Sequence, residues 1–428
     1  MLNNINTKKN IGLIGVLIIL NLFTGRYFEN LRIIEIPINQ IILIYLIINL
    51  TFIKTLMISG NKIIKIINIY FIYSFIQLFF SFIENGIWAL RDGLYVINLL
   101  FFLCGYIYAN KHFDSKRLYL LFKIIYFIAI VYLLLKVFSV ESFGLSINSA
   151  QGNKFFLINY FNLKHVFMWV GFYLLIIYKN KNLFIYMMSI IFITVSIILF
   201  QSRSTYISLF VIIFFMLKFN KLKMTNIFYG IFLIFFISIM FDMFDINIKG
   251  RFQEVSLNFF INHFKTLFIF SQEYKVNNLE FAGQEGSAQM RYDWWLEVIN
   301  KNLSSLKLTL FGQGFGIPLI DFKTSQFGFA REPHNMFVTI FGRQGLFGLS
   351  LFLIIFFKSF KNFFYKIKLK IYKNNDREVL IVIFLYILIV SVGFIGDSIL
   401  NYSSASIPFY FFWGIIIGYR SEIKNVIN

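Results

Sequence analysis

An all-α polytopic membrane protein is what this sequence predicts, with about 12 transmembrane helices and a long helical outer-face loop between spans 9 and 10. Three observations lead there. Hydrophobic residues make up 58% of the chain and the mean hydropathy is +0.73, more apolar surface than a soluble domain needs. The apolar residues fall in long uninterrupted runs, each near the length that a helix needs to cross a bilayer core. The formal charge of +20 sits in short loops between those runs, which membrane orientation explains better than nucleic-acid binding.

Broken at its charges, the chain gives spans at 11–24, 36–53, 66–83, 93–109, 118–137 and 166–178, then 183–200, 205–217, 224–241, 335–357, 379–395 and 406–419. The first run lacks a small-residue cleavage site and reads as a retained span. Lysine and arginine gather in alternate loops: Lys8 and Lys9; Lys54, Lys62 and Lys65; Lys111, Lys116 and Arg117; Lys179 and Lys181; Lys218, Lys221 and Lys223; the cluster from Lys358 to Arg377; and Arg420 with Lys424. The short loops on the other side carry only Arg26, Arg32, Arg91 and Arg203 as cations. The positive-inside rule then predicts that both termini are cytoplasmic.

Two outward loops are long. Residues 139–165 carry Lys154 and Lys164 among Asn, Ser and Gly. Residues 242–333 are too apolar in pattern for a linker: 252–270 repeats Phe and Leu at the spacing of an interfacial amphipathic helix, 287–302 reads as a second helix, and FGQGFG at 311–316 supplies turn glycines. The expected division is 1–241 for spans 1–9, 242–334 for the outer loop domain, and 335–428 for spans 10–12. The placement of that loop argues against a transporter of two equal halves. The single cysteine, Cys104, lies in an apolar run, so neither a disulfide framework nor a Cys-based metal site is expected.

Chemistry concentrates around AREPHNMFVTIFGRQGLFG at 330–348. Pro333 has no N–H and a fixed φ, which suits a helix start and places His334 at the membrane edge beside open N–H groups. A neutral imidazole can accept a proton from a hydroxyl, and free N–H groups can hold an anion. An ordinary interfacial histidine capping a membrane helix is the competing reading. Glu332 is a second candidate base, and Asn335 completes the polar knot. Gly342, Gly345 and Gly348 recur three residues apart, as on a smooth packing face. Arg343, nine residues into the run, needs a partner or water at that depth, in a structural pair or at a functional site. Arg203 stands in a tight outward turn, where it binds an anion or snorkels. Arg291 lies in MRYDWW, on a helix whose tryptophans suit the headgroup level; a salt bridge to Asp293 or Glu297 is the alternative. Two arginines and a neutral histidine can grip a diphosphate and deprotonate a hydroxyl without metal or nucleotide. The four histidines make no metal-ligand pattern, and no phosphate-binding glycine loop precedes a Lys-Ser/Thr pair.

Three blocks, SRS at 202–204, RYDWWLEVINKN…LFGQGFG at 291–316 and PHNMFVTIFGRQGLFG at 333–348, resemble the O-antigen polymerase and ligase superfamily of bacterial envelope glycosyltransferases. The resemblance covers roughly 200–357; the first six spans match in hydropathy alone. It implies a multi-pass protein of the bacterial cytoplasmic (inner) membrane that joins undecaprenyl-diphosphate-linked glycan donor and acceptor within the lipid bilayer. No cofactor, metal or nucleic acid is implied, and a chain-length regulator protein is an expected partner. Arg203, Arg291 and His334 fall at the family's catalytic positions. Arg343, Asn335, Glu332, Lys154 and Lys164 are the substrate-binding candidates, the two lysines standing where some members carry arginines. A polymerase of repeat units for O-antigen or capsule is the leading expectation, and a ligase delivering the same donor to lipid A-core is the alternative. A lipid-linked glycan flippase would place charges at mid-membrane in several helices, whereas here only Lys123 and Arg343 do so.

Overall fold

The computed structural model describes residues 2–29, 31–33, 36–49, 62–137, 146–148, 154–156, 164–177, 183–198, 203–218, 236, 239, 282–320, 323–324, 328–329, 331–368, 374–396 and 398–419. These residues form a helical bundle. The helices in order are α1 (Leu2–Thr24), α2 (Arg26–Glu29), α3 (Ile38–Asn49), α4 (Lys62–Asn85), α5 (Ile87–Asp92), α6 (Leu94–Asn98), α7 (Leu100–Lys111) and α8 (Ser115–Val137). There follow α9 (Lys164–Ile177), α10 (Leu183–Ile198), α11 (Arg203–Lys218), α12 (Ala282–Leu303), α13 (Leu306–Phe311), α14 (Met336–Lys368), α15 (Asn374–Gly396) and α16 (Ser403–Gly418). Among the described residues strands are confined to three antiparallel ladders: β1 (Arg32–Ile33) with β2 (Ile36–Pro37), β3 (Ser146–Asn148) with β4 (Lys154–Phe156), and β5 (Lys323–Thr324) with β6 (Gly328–Phe329).

Eleven of the twelve expected spans coincide with helices; the ninth, 224–241, lies outside the described residues apart from 236 and 239, and the expected helix at 252–270 lies outside them altogether. Among the described residues five helices are long and apolar enough to cross a membrane: Lys62–Asn85, Leu94–Lys111, Ser115–Leu135, Met336–Ile367 and Asp376–Gly396. Five shorter apolar helices accompany them.

The central pair is α15 and α16, buried along most of their length, while α4 and α8 turn rows of exposed Ile, Leu and Phe outward, as lipid-facing helices do. α7 and α16 run parallel at very close range. A Cβ on Gly105 would strike the Phe411 carbonyl, and one on Gly414 the Phe102 carbonyl, so glycine at both positions is what lets the backbones meet. Amides pair inside the bundle, where no water serves them. Asn21 and Asn39 exchange hydrogen bonds of 3.1 and 3.2 Å. Asn98 donates to Ser406 at 2.7 Å and to Ser403 at 3.3 Å, and accepts from Gln40.

One end of the bundle gathers basic loops. There Arg117 pairs with Asp114, Lys366 donates to the Tyr419 carbonyl, and the Tyr419 hydroxyl donates to Asp376. The opposite end carries Asp92, Arg331 and His334 and is called the site end below. α10 packs along α9, with Phe167 against Phe192 and Gly171 between Ser189 and Ile193, and α11 ends toward the basic loops, where Lys218 lies over Phe364. α9 starts at the site end, and α11, ending at the other, begins there at Arg203.

Two expected spans differ from a simple rod. The run 93–109 is two helices, α6 and α7, joined at Leu99. The run 335–357 belongs to α14, which continues to Lys368 and breaks at Gly345, where φ is 64° and ψ −167°. The break lets both arms pack on one ring: Phe337 from the first arm, and Phe352 and Phe356 from the second, all meet Phe394.

Candidate functional site

The bend in α14 frees backbone carbonyls that a continuous helix would use, and each must find another donor at membrane depth. Phe341 O accepts from the Asn302 side chain at 2.7 Å, and Gly342 O from the Gln313 N–H at 2.8 Å. Arg343 O accepts from the Gly314 N–H at 3.0 Å, and Gln344 O from the Tyr73 hydroxyl at 2.7 Å. The FGQGFG stretch is therefore more than a turn. It packs along α14 and supplies two of the four hydrogen bonds, with Asn302 and Tyr73 supplying the others. The expected smooth face is divided accordingly: Gly342 lies under Leu319 and Val298, whereas Gly345 is the bend itself.

Arg343 lies just before that bend and is fully buried. Its Nη2 reaches Glu332 Oε1 at 2.7 Å and Asp92 Oδ2 at 3.0 Å, and its Nη1 donates to the carbonyls of Gly314 and Ile317. Asp92 Oδ2 also accepts from Arg331 at 2.9 Å and from the Gly316 N–H at 3.1 Å. Two arginines and two carboxylates thus form a quartet around the end of α5, with Asp92 and Arg343 buried and Arg331 and Glu332 partly so. Arg331 also stacks on Trp88, 4.5 Å from the ring centre. Burial pushes the Glu332 carboxyl above the usual carboxylate range, against the pull of Arg343 beside it.

Residues 331–335 run from this quartet as a strap to the start of α14. Asn335 is the N-cap: its Oδ1 accepts from the N–H groups of Phe337 and Val338 at 3.0 and 3.1 Å. Two of the N–H groups that the sequence offered to an anion are therefore occupied. Pro333 stands three residues ahead of the helix rather than opening it. His334 has φ 50°, the left-handed region, which costs a non-glycine residue about 1–2 kcal/mol. Its neighbours hold it there. Trp294 lies 5.7 Å from the His334 ring at an interplanar angle of 31°, and Trp295 Nε1 donates to the Pro333 carbonyl at 2.7 Å.

Arg291 lies one turn before Trp294 on α12. Its Nη1 donates to Gly396 O at 2.9 Å, while Asn335 Nδ2 donates to Ile395 O at 3.2 Å. Adjacent carbonyls at the negative end of the α15 dipole thus gather Arg291 and the His334 strap. His165, at the start of α9, lies against Gly393, one turn before Gly396. Its neighbour Lys164 therefore begins α9 at this same end, and Arg203 begins α11 there; Lys154 sits in β4 opposite Asn148. The side chains of these three fall outside the described residues.

The structure thus brings together His334, Arg291 and Asn335, and separately joins Arg343 to Glu332. Sequence reasoning missed Asp92, the tryptophan clamp on His334, and His165. Asp92 was one acid among several near the outward turns, with Glu29, Glu35 and Glu84, and no spacing linked it to Arg331.

Residues 188–353 match the model of a family described as O-Antigen ligase. The matched stretch includes Arg203, Arg291, the strap and the bend. No curated protein and no solved structure matches the chain.

Proposed function

We propose that this membrane glycosyltransferase of the O-antigen ligase and polymerase superfamily polymerises undecaprenyl-diphosphate-linked oligosaccharide repeat units, for O-antigen or capsule. The work is done at the outer face of the cytoplasmic membrane, by a chain of twelve spans with both termini in the cytoplasm. The observation that supports this most is the convergence of Arg291 and the His334 strap, both inside the matched segment, on the Ile395 and Gly396 carbonyls beyond its end.

In this reading a sugar hydroxyl of one lipid-linked unit attacks the anomeric carbon of another. The new C–O bond forms as the bond to the diphosphate breaks, and the leaving diphosphate takes the electron pair. His334 receives the hydroxyl proton, worth about 10²–10⁴ in rate for a well-placed base. Arg291 and Arg203 neutralise the departing diphosphate, with Lys164 and Lys154 as further cations near it. Direct displacement inverts the anomeric centre and needs no metal. Glu332 and Arg343 act by holding the strap.

The experiment is chain extension by purified protein in EDTA, with purified lipid-linked repeats. His334→Ala should be nearly inactive and Arg291→Ala slower by about 10²–10³. Arg291→Lys should also be poor, because lysine lacks the planar fork. Full activity of His334→Ala, or a metal requirement, would overturn the mechanism. The description of the matched family favours the ligase as second reading. Transfer to lipid A-core in place of chain extension, in the same assay, would select it.

A further inference from the structure

We propose that Asp92 is a positioning residue for His334, acting across 239 residues of sequence through Arg331 and Arg343. The inference rests on the reading that His334 does chemistry. Asp92 is buried, and one oxygen, Oδ2, takes three donors: Arg331, Arg343 and the Gly316 N–H. Arg331 is the first residue of the strap, and Arg343 holds the second, Glu332. Asn335 fixes the far end by capping α14. His334 hangs between these anchors in a left-handed backbone, a conformation that persists only where the surroundings determine it. The front anchor is electrostatic, and Asp92 is the half of its negative charge supplied from outside the strap. Asp92 also lies outside the matched segment 188–353, so the N-terminal half of the bundle contributes to the geometry of the site.

A buried acid that serves folding alone would lower the amount of native protein. A positioning acid lowers turnover in protein that is folded, because a misplacement of about 1 Å can cost about 10²-fold. The full chain in lipid nanodiscs, supplied with undecaprenyl-diphosphate-linked repeats from its own host, separates the two. Asp92→Asn should lower kcat about 10²-fold per folded molecule, with KM for the donor within about threefold of wild type. In a His334→Ala background the same change should cost less than about threefold, since residues acting as a unit are not additive. The double variant Asp92→Asn/Arg331→Gln removes one charge of each sign. It should melt close to wild type and still turn over as slowly as Asp92→Asn, because the strap has lost its tether. Wild-type kcat in either Asp92 variant, or an equal loss in the His334→Ala background, would overturn the proposal. Full activity of His334→Ala by itself would instead remove the reading of His334 on which it rests.

Discussion

Glu332 shows how one side chain answers to two opposing influences. Burial favours its neutral acid, while Arg343 at 2.7 Å favours the carboxylate, and burial is the larger. A carboxyl whose value is raised by folding binds its proton more tightly in the native state. Its stabilising share is then full below the ordinary carboxylate range and is lost as pH rises through the raised value. Melting curves of wild type and Glu332→Gln between pH 4.5 and 8 should therefore show a wild-type advantage that shrinks with rising pH. An advantage that grows would mean that the ion pair dominates. At this scale the sequence was partly legible. Arg343 in an apolar run announced that it needed a partner, and Glu332 was near enough to name. Asp92 and the Trp294 clamp were not legible, because nothing in chain order relates α5 or α12 to the strap.

The elements were legible where hydrophobicity alone sets them. Apolar runs bounded by charges gave the positions of α4, α8 and α15 within a few residues. The bend in α14 was hidden, since three glycines at i, i+3 and i+6 read equally as a packing face, and only the docked 310–316 segment decides otherwise. Gly345 has φ 64°, and a Cβ there would collide with the Leu310 and Phe311 backbone. Gly345→Ala should therefore destabilise the protein by more than the ~1–3 kcal/mol of backbone strain in this glycine-only region alone. Detergent-extracted variant should melt several degrees lower and lose glycan transfer. A variant that melted and worked like wild type would show that α14 can straighten without loss.

For the whole molecule, the two ends of the bundle differ in kind. One holds the basic loops around Lys111 to Arg117 and Lys366 to Asp376, and the other the quartet and the His334 strap. By the positive-inside rule the proposed topology puts the first end in the cytoplasm. In a Cys104→Ala background, a cysteine placed at Ser305 should react with an impermeant maleimide in intact cells, and one at Lys368 only after the membrane is opened. The reverse pattern would invert the proposed topology. Cys104 is the single cysteine of the sequence, so its replacement leaves no competing thiol.

The hydrogen bonds from Asn98 to Ser403 and Ser406 also say something about time. The two sides of that contact are 305 and 308 residues apart. At a synthesis rate of about 5–20 residues per second, Asn98 enters the membrane some 15 to 60 s before its serines exist. For that interval an uncapped amide, and the empty slot of α16 beside Gly105, must be sheltered by lipid headgroups, by the insertion machinery or by temporary neighbours. Early helices of this bundle are therefore obliged to wait loosely until α16 is made and locks them.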